Sequence, residues 1–325
     1  MPGNAASLPG MYVLESLKSF DETAGRRQAA ALQNRPSPMT DKPQADSPLA
    51  ALRSEIDHID ETMHGLLMQR AEIIDRLIAV KQTQESGSAF RPAREAEMMR
   101  RLVDRHHGIL PLDTVESIWR VIISTFTFVQ APFSLHADLT EDAAAMRDSA
   151  RFHFGFTVPF EAHMSAAGVV AAVSESRGDL GLVNALPGSS AWWTALEFDS
   201  APKIIARLPF VDREDHPAAL PVFVVSRVAA EAMVPDVAVW SLRVSGWSGK
   251  AARAVSHLAE VIAVPDSAYD GAAVLASVPQ GSSFKQLSEA IVNAGGSIRS
   301  SALVGSHATR YTLPAASTRP VQGGR

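Results

Sequence analysis

The chain has 325 residues, 46% of them hydrophobic and 20% charged, with a formal net charge of -5. That length admits two or three domains, the charge balance gives no basic excess for nucleic acid, and no apolar run is long enough to span a bilayer. The absence of cysteine excludes disulfide scaffolds, thiolate metal sites and cysteine nucleophiles. An N-terminus without a secretory apolar core makes the cytoplasm the expected location.

Residues 1–45 read as an unstructured tail, with Pro2, Pro9, Pro36, Pro38 and Pro43 scattered among small and polar residues. Met39, shortly before the first good helix start, is a candidate start codon. Ser47-Pro48 then opens a helix with a capping hydroxyl and a proline in the first turn. Its apolar residues step by three and four through Leu49, Leu52, Ile56, Ile59, Met63 and Leu66. The same step continues to Arg70, Ile73, Leu77 and Val80/Lys81, so two cations lie on or beside the face that should be buried. A buried cation is costly unless an anion meets it. Pairing of Arg70 with Glu72 or Asp75 is the plainer explanation; an anionic ligand inside a helical bundle is the more informative one.

The helix is expected to run to about Gln84 and to stop at Ser86-Gly87, a length of about 55 Å at 1.5 Å per residue. A helix so long overhangs a small monomeric bundle and calls for a partner subunit. Pro92 begins a second helix through His107, ended by Gly108 and Pro111. Asp113 with Glu116 forms an expected capping box for a third, with an apolar stripe of Val115, Ile118/Trp119, Ile122, Phe126 and Val129/Gln130.

These three helices resemble the all-helical chorismate mutase family through Leu52-Arg53-x-x-Ile56-Asp57-x-Ile59-Asp60, Leu66-Leu67-x-x-Arg70, Lys81, Pro92-x-Arg94-Glu95-x-Glu97 and Gln130. The resemblance covers residues 46–131. It implies an intertwined homodimer in which Arg70, and Arg53 from the partner, each grip a carboxylate of chorismate through a planar guanidinium. Lys81 would bind a carboxylate and the ether oxygen, Gln130 would donate a second hydrogen bond to that oxygen, and Glu95 with Arg94 would hold the ring hydroxyl. The rearrangement to prephenate needs no covalent help, only the compact conformer and donors aimed at the developing negative charge. No cofactor or metal enters this chemistry. Because Gln130 is an amide, activity should not demand acid pH. Two positions depart from the family pattern: Arg91 replaces a frequent acid, and Phe126 stands where a small hydroxyl residue is common. A sister activity on the same fold, isochorismate–pyruvate lyase, fits the residue set less well.

From Ala131 the pattern becomes α/β, giving the chain an α plus α/β fold class. Residues 132–232 are expected to form one lobe, with strands at Arg151–Val158, 178–183, 202–209 and 219–226 and a helix at Ala166–Ser174. The stretch from Val169 to Leu196 resembles prephenate dehydratase, departing from it at Asn184-Ala-Leu-Pro-Gly. Residues 233–316 read strand, helix, strand, strand, helix, strand, the order of a split βαβ sandwich, and resemble small amino-acid-binding regulatory domains. The aromatic amino acids are therefore candidate effectors. Thr309-Arg310-Tyr311 is similar to the Thr-Arg-Phe signature of the dehydratase site, so Thr309 and Arg310 are a possible second site or, more simply, a terminal strand. Residues 317–325 form a second tail. Gly246 to Lys250 lacks the first glycine and the hydroxyl of a phosphate loop. His106-His107 reads as a cationic helix end, and Trp192-Trp193 as core or interface. The whole then reads as a mutase with a non-catalytic α/β module, with a bifunctional mutase–dehydratase or a non-catalytic anion sensor as rivals.

Overall fold

A computed structural model describes residues 48–81, 89–188, 190–227, 236–266 and 270–313, the side chain of Lys81 excepted. Both expected tails, the candidate start at Met39, the Ser47 cap and the helix stop at Ser86-Gly87 lie outside the described residues. The chain divides into two compact units, residues 1–67 and 68–325.

The first unit contributes the opening part of helix α1 (Pro48–Lys81). The step of three and four makes the expected stripe, and Leu49, Leu52, Ile56, Ile59, Met63 and Leu66 along it are each at least half exposed. A surface this apolar is unusual unless something covers it.

The second unit continues α1 and adds α2 (Pro92–Arg105) and α3 (Leu112–Gln130). Proline at the first position starts α2 as expected. The capping box at α3 does not form: no side chain caps the helix, and Asp113 and Glu116 both bind Arg213 instead. A guanidinium fork offers two carboxylates more than a backbone amide can.

The remaining chain builds β1 (Leu135–Asp138), α4 (Ala143–Phe154), β2 (Phe160–His163), α5 (Ala166–Glu175), β3 (Leu180–Asn184), a 3-10 turn at Trp192–Leu196, β4 (Lys203–Leu208), β5 (Val211–Asp212) and β6 (Val222–Ser226). It continues with β7 (Val237–Ser245), α6 (Gly249–Val255), β8 (Glu260–Asp266), β9 (Gly271–Pro279), α7 (Phe284–Asn293), β10 (Ser297–His307) and β11 (Tyr311–Thr312). Nine strands form one sheet in the order β2-β1-β3-β6-β4-β10-β7-β9-β8, and β11 pairs with β5 beside it. In β10-β7-β9-β8 each strand is antiparallel to its neighbour, with β9 inserted between β7 and β8, which is the split βαβ arrangement read from the sequence. The stretches 132–232 and 233–316 share this sheet. They meet where β10 runs parallel to β4, at a single register pair, Gly305 with Ile204.

One expected strand is wrong. Arg151–Val158 alternates aromatic and polar residues, yet α4 runs through Phe154. Asp142 caps it by accepting from the Ala145 amide at 2.9 Å. Met146, Ser149, Ala150, His153 and Phe154 then share its buried face at helical spacing.

The core sits between this sheet and the helices. Leu135, Ala137, Leu180, Leu182, Val222 and Val224 pack in one cluster with Phe90, Met99 and Leu102 of the α2 region and Val115 and Ile123 of α3. The second and third helices thus bury their apolar residues against the sheet, each large side chain contributing about 1.5–3 kcal/mol. Trp193 is core, as expected, 1% exposed.

Candidate active site

Arg70 lies on the part of α1 within the second unit, half-buried, with its guanidinium 5.1 Å above the Phe126 ring. Neither Glu72 nor Asp75 pairs with it, and among the described residues no carboxylate does. Burial, and then the nearby charge of Arg94, hold the Arg70 guanidinium below its ordinary value. A desolvated cation beside a second cation is a place that an anion stabilises twice over.

Gln130 closes α3 one turn beyond Phe126. Its Nε2 donates to the Phe126 carbonyl oxygen at 2.9 Å. An amide nitrogen carries two hydrogens, so this bond fixes the group and leaves one donor for a ligand. The Phe126 ring thus stacks under Arg70, while the bond to Gln130 uses the main-chain carbonyl that any residue at this position would supply. Arg94 is exposed on the first turn of α2. Arg53 is exposed on α1 within the first unit. Lys81 ends α1, and its side chain lies outside the described residues.

Glu95, expected beside the substrate, lies in a buried ion pair. It is 4% exposed, and its Oε2 accepts from Arg120 at 2.7 Å, Arg120 itself being wholly buried. Burial pushes the Glu95 carboxyl up, while the charge and hydrogen bond of Arg120 pull it down. Arg120 also donates to the His153 carbonyl oxygen at 3.0 Å, and Glu116 pairs with Arg213 and His216, so the network joins α2, α3, α4 and the loop after β5. The Glu95 carboxylate thus meets the buried Arg120, which would be costly to leave unpaired in that core. Sequence reasoning missed Arg120. The signal available was the second stripe of α3, Glu116, Arg120, Ser124 and Thr127, at helical spacing; all four are buried.

A second constellation surrounds Thr309 and Arg310. Both line a cavity of about 320 Å³ together with Arg207, Asp212, Glu260 and His307. Arg310 pairs with Asp212 at 3.0 Å, and Arg207 clasps Glu260 through both terminal nitrogens. Thr309 is exposed, and its amide donates to Asp236 at 3.2 Å. His307 Nδ1 lies 2.9 Å from the Ala308 carbonyl oxygen, which only accepts, so this nitrogen carries the hydrogen and Nε2 is left buried without a partner. Burial first, then the Arg207 and Arg310 charges, lower His307 to about 4. Tyr311 faces α2, its hydroxyl donating to Asp104 at 2.6 Å.

The fold and these sites define an all-helical N-terminal segment that carries the neighbouring cations Arg70 and Arg94, followed by an α/β sheet. Residues 52–131 match the family model of chorismate mutase type II. The segment so identified is the one whose motifs carried the resemblance. Similar proteins include a bifunctional chorismate mutase/prephenate dehydratase of Neisseria gonorrhoeae, 31% identical over 110 residues, or 34% of this chain and 29% of that one. A protein of the same description from Aquifex aeolicus is 28% identical over 139 residues, 42% of this chain and 38% of that one. The chain thus spans only about a third of the length of the curated relatives it matches. A solved prephenate dehydratase from Streptococcus mutans aligns with 55% of this chain and 100% of its own, at 14% identity and a TM-score of 0.34. No helix among the described residues is long and apolar enough to cross a membrane.

Proposed function

We propose that the chain is a chorismate mutase, acting in the cytoplasm as a homodimer and supplying prephenate for phenylalanine and tyrosine synthesis. The observation that carries this reading is Arg70: half-buried, without a carboxylate among the described residues, and pressed by Arg94, in a segment matching the mutase family. Its fork holds one carboxylate of the substrate, and Arg53 of a second copy holds the other. The free N–H of Gln130 and the ammonium of Lys81 meet the ether oxygen as its bond breaks, where charge develops. Arg94 adds its charge to the same corner. The exposed stripe of α1 is the surface a second copy covers.

The α/β module is read as a non-catalytic binding or assembly unit with an aromatic amino acid as effector. A dehydratase reading is kept by one observation, that Thr309 and Arg310 line a cavity with Arg207 and His307 rather than an outer face alone. The deciding experiment is chorismate consumption by the purified protein, with products identified before any acid treatment. Prephenate alone supports the mutase; phenylpyruvate makes Thr309 catalytic; no consumption leaves the segment an anion sensor. Arg70→Ala should lower kcat/KM at least about 100-fold, about 3 kcal/mol of transition-state stabilisation, while the protein still sediments as a dimer. Unchanged turnover in that variant would remove the mutase assignment.

A further inference from the structure

The edge of the sheet farthest from β8 carries a side-chain cluster that none of this chemistry uses. β1 and β2 are parallel, with His136 opposite Glu161 and Asp138 opposite His163. Side chains two apart on a strand share a face. Glu161 and His163 therefore stand together on β2, and His136 meets them from β1. His136 Nδ1 lies 2.9 Å from His163 Nε2 and 3.6 Å from Glu161 Oε2, and one ligand atom from each residue falls within 4.8 Å of the other two.

We infer that His136, His163 and Glu161 form a mononuclear site for a divalent first-row transition metal ion of the zinc type. The sequence had suggested no such site, because the three residues come from two strands that its alternation pattern did not reveal. Two imidazoles and a carboxylate are the donors such ions take, at about 2.0–2.2 Å. Around a tetrahedral ion of that radius, neighbouring ligand atoms stand about 3.4 Å apart. The pair at 3.6 Å already fits, and the pair at 2.9 Å has to open by about half an ångström, a small rotation of the half-buried His163.

The surrounding bonds support the donor assignment. His136 is 6% exposed, and its other nitrogen, Nε2, lies 3.3 Å from Asp179 Oδ2. Asp179 is held in turn by the Ser134 amide, which donates to Oδ1 at 2.8 Å. A carboxylate on Nε2 keeps the hydrogen there and turns the lone pair of Nδ1 toward His163 and Glu161. This is the carboxylate–histidine–metal arrangement that orients ligating imidazoles. β2 is an edge strand and Glu161 is largely exposed, so an ion has open access and keeps positions for water or a further ligand.

The test uses the untagged full chain, stripped with a chelator, titrated with Zn(II) by calorimetry and with Co(II) by visible absorption. One equivalent per chain should bind, with Co(II) d–d bands of a low-coordinate nitrogen–oxygen site. His163→Gln and Glu161→Gln, both at positions that tolerate change because they are not deeply buried, should weaken binding by at least about 100-fold and about 10-fold. Asp179→Asn should weaken it by about 10–100-fold, the effect of removing an outer partner. A His106→Gln/His107→Gln double variant should bind as the unaltered chain does, excluding a surface histidine pair. Circular dichroism of each variant checks that the fold is kept. Absence of saturable binding, or equal affinity in folded His163→Gln, overturns the inference.

Discussion

Glu95 and His307 are buried ionisable groups of contrasting kinds. Glu95 is matched, held at 2.7 Å by Arg120. His307 is neutral and only half matched, with Nε2 lacking a partner and its pKa lowered to about 4. A histidine whose folded value lies below its unfolded value near 6.5 binds a proton first in the unfolded chain. The contribution of His307 to stability is therefore fully present above about pH 6.5 and is lost as the pH falls toward 4. The difference of about 2.5 units corresponds to about 3 kcal/mol. His307→Asn keeps a donor for the Ala308 carbonyl and removes the titration. Urea midpoints at pH 7 and pH 4.5 should fall less steeply with acid in this variant than in the unaltered chain. An identical decline would place the acid sensitivity elsewhere. Gln130 and Arg70 could be picked out in the sequence because a polar residue on an apolar stripe is visible locally. The partner of Glu95 could not, since Arg120 stands on a different helix and on what looked like a solvent face.

Among the elements, α3 shows most clearly how a pattern misleads. Its apolar stripe reads as the core face, yet Ile118 and Val129 on it are exposed while Glu116, Arg120, Ser124 and Thr127 are buried. Ion pairs to Glu95 and Arg213 make the polar face the inner one, and periodicity alone cannot distinguish a solvated stripe from a paired one. The helices themselves were legible: α1, α2, α3 and α5 lie where spacing and proline placed them, because those signals are local. The strands β1 and β2 were not, being four residues each and partly polar. The packing of α5 on β3 is also set by one position. A Cβ at Gly181 would come within 2.6 Å of Val169 Cγ1 and 3.1 Å of Val173 Cγ2. Gly181→Ala should therefore destabilise by about 1–3 kcal/mol through overpacking, read as a lower urea midpoint at unchanged slope. A midpoint equal to that of the unaltered chain would mean α5 can shift outward freely.

At the scale of the whole molecule, the segment that matches the mutase family does not keep a core to itself. Phe90, Met99, Leu102, Val115 and Ile123 share one cluster with Phe133, Leu135, Leu182 and Val224, and Arg213 reaches back from beyond β5 to Asp113 and Glu116. Residues 46–131 expressed alone should consequently show weak helical circular dichroism and a non-cooperative melt, and should bind hydrophobic dyes. A sharp two-state transition in that fragment would show that its helices find their own core. The sequence made the change from helical to α/β composition plain near residue 131 but held no trace of this shared core, because side chains from distant segments meet only in the folded chain. The sheet itself is joined differently. β10 is laced to β7 along its length and β4 to β6, yet β4 and β10 are registered through Ile204 and Gly305 alone, where a Cβ would lie 2.1 Å from the Ile204 carbonyl oxygen. The backbone ladder that joins the two parts of the nine-stranded sheet is therefore one register pair wide. What the backbone leaves thin is held by side chains: Phe223 and Val225 pack in one cluster with Val239, Val264 and Leu275, and Arg207 grips Glu260 across the seam.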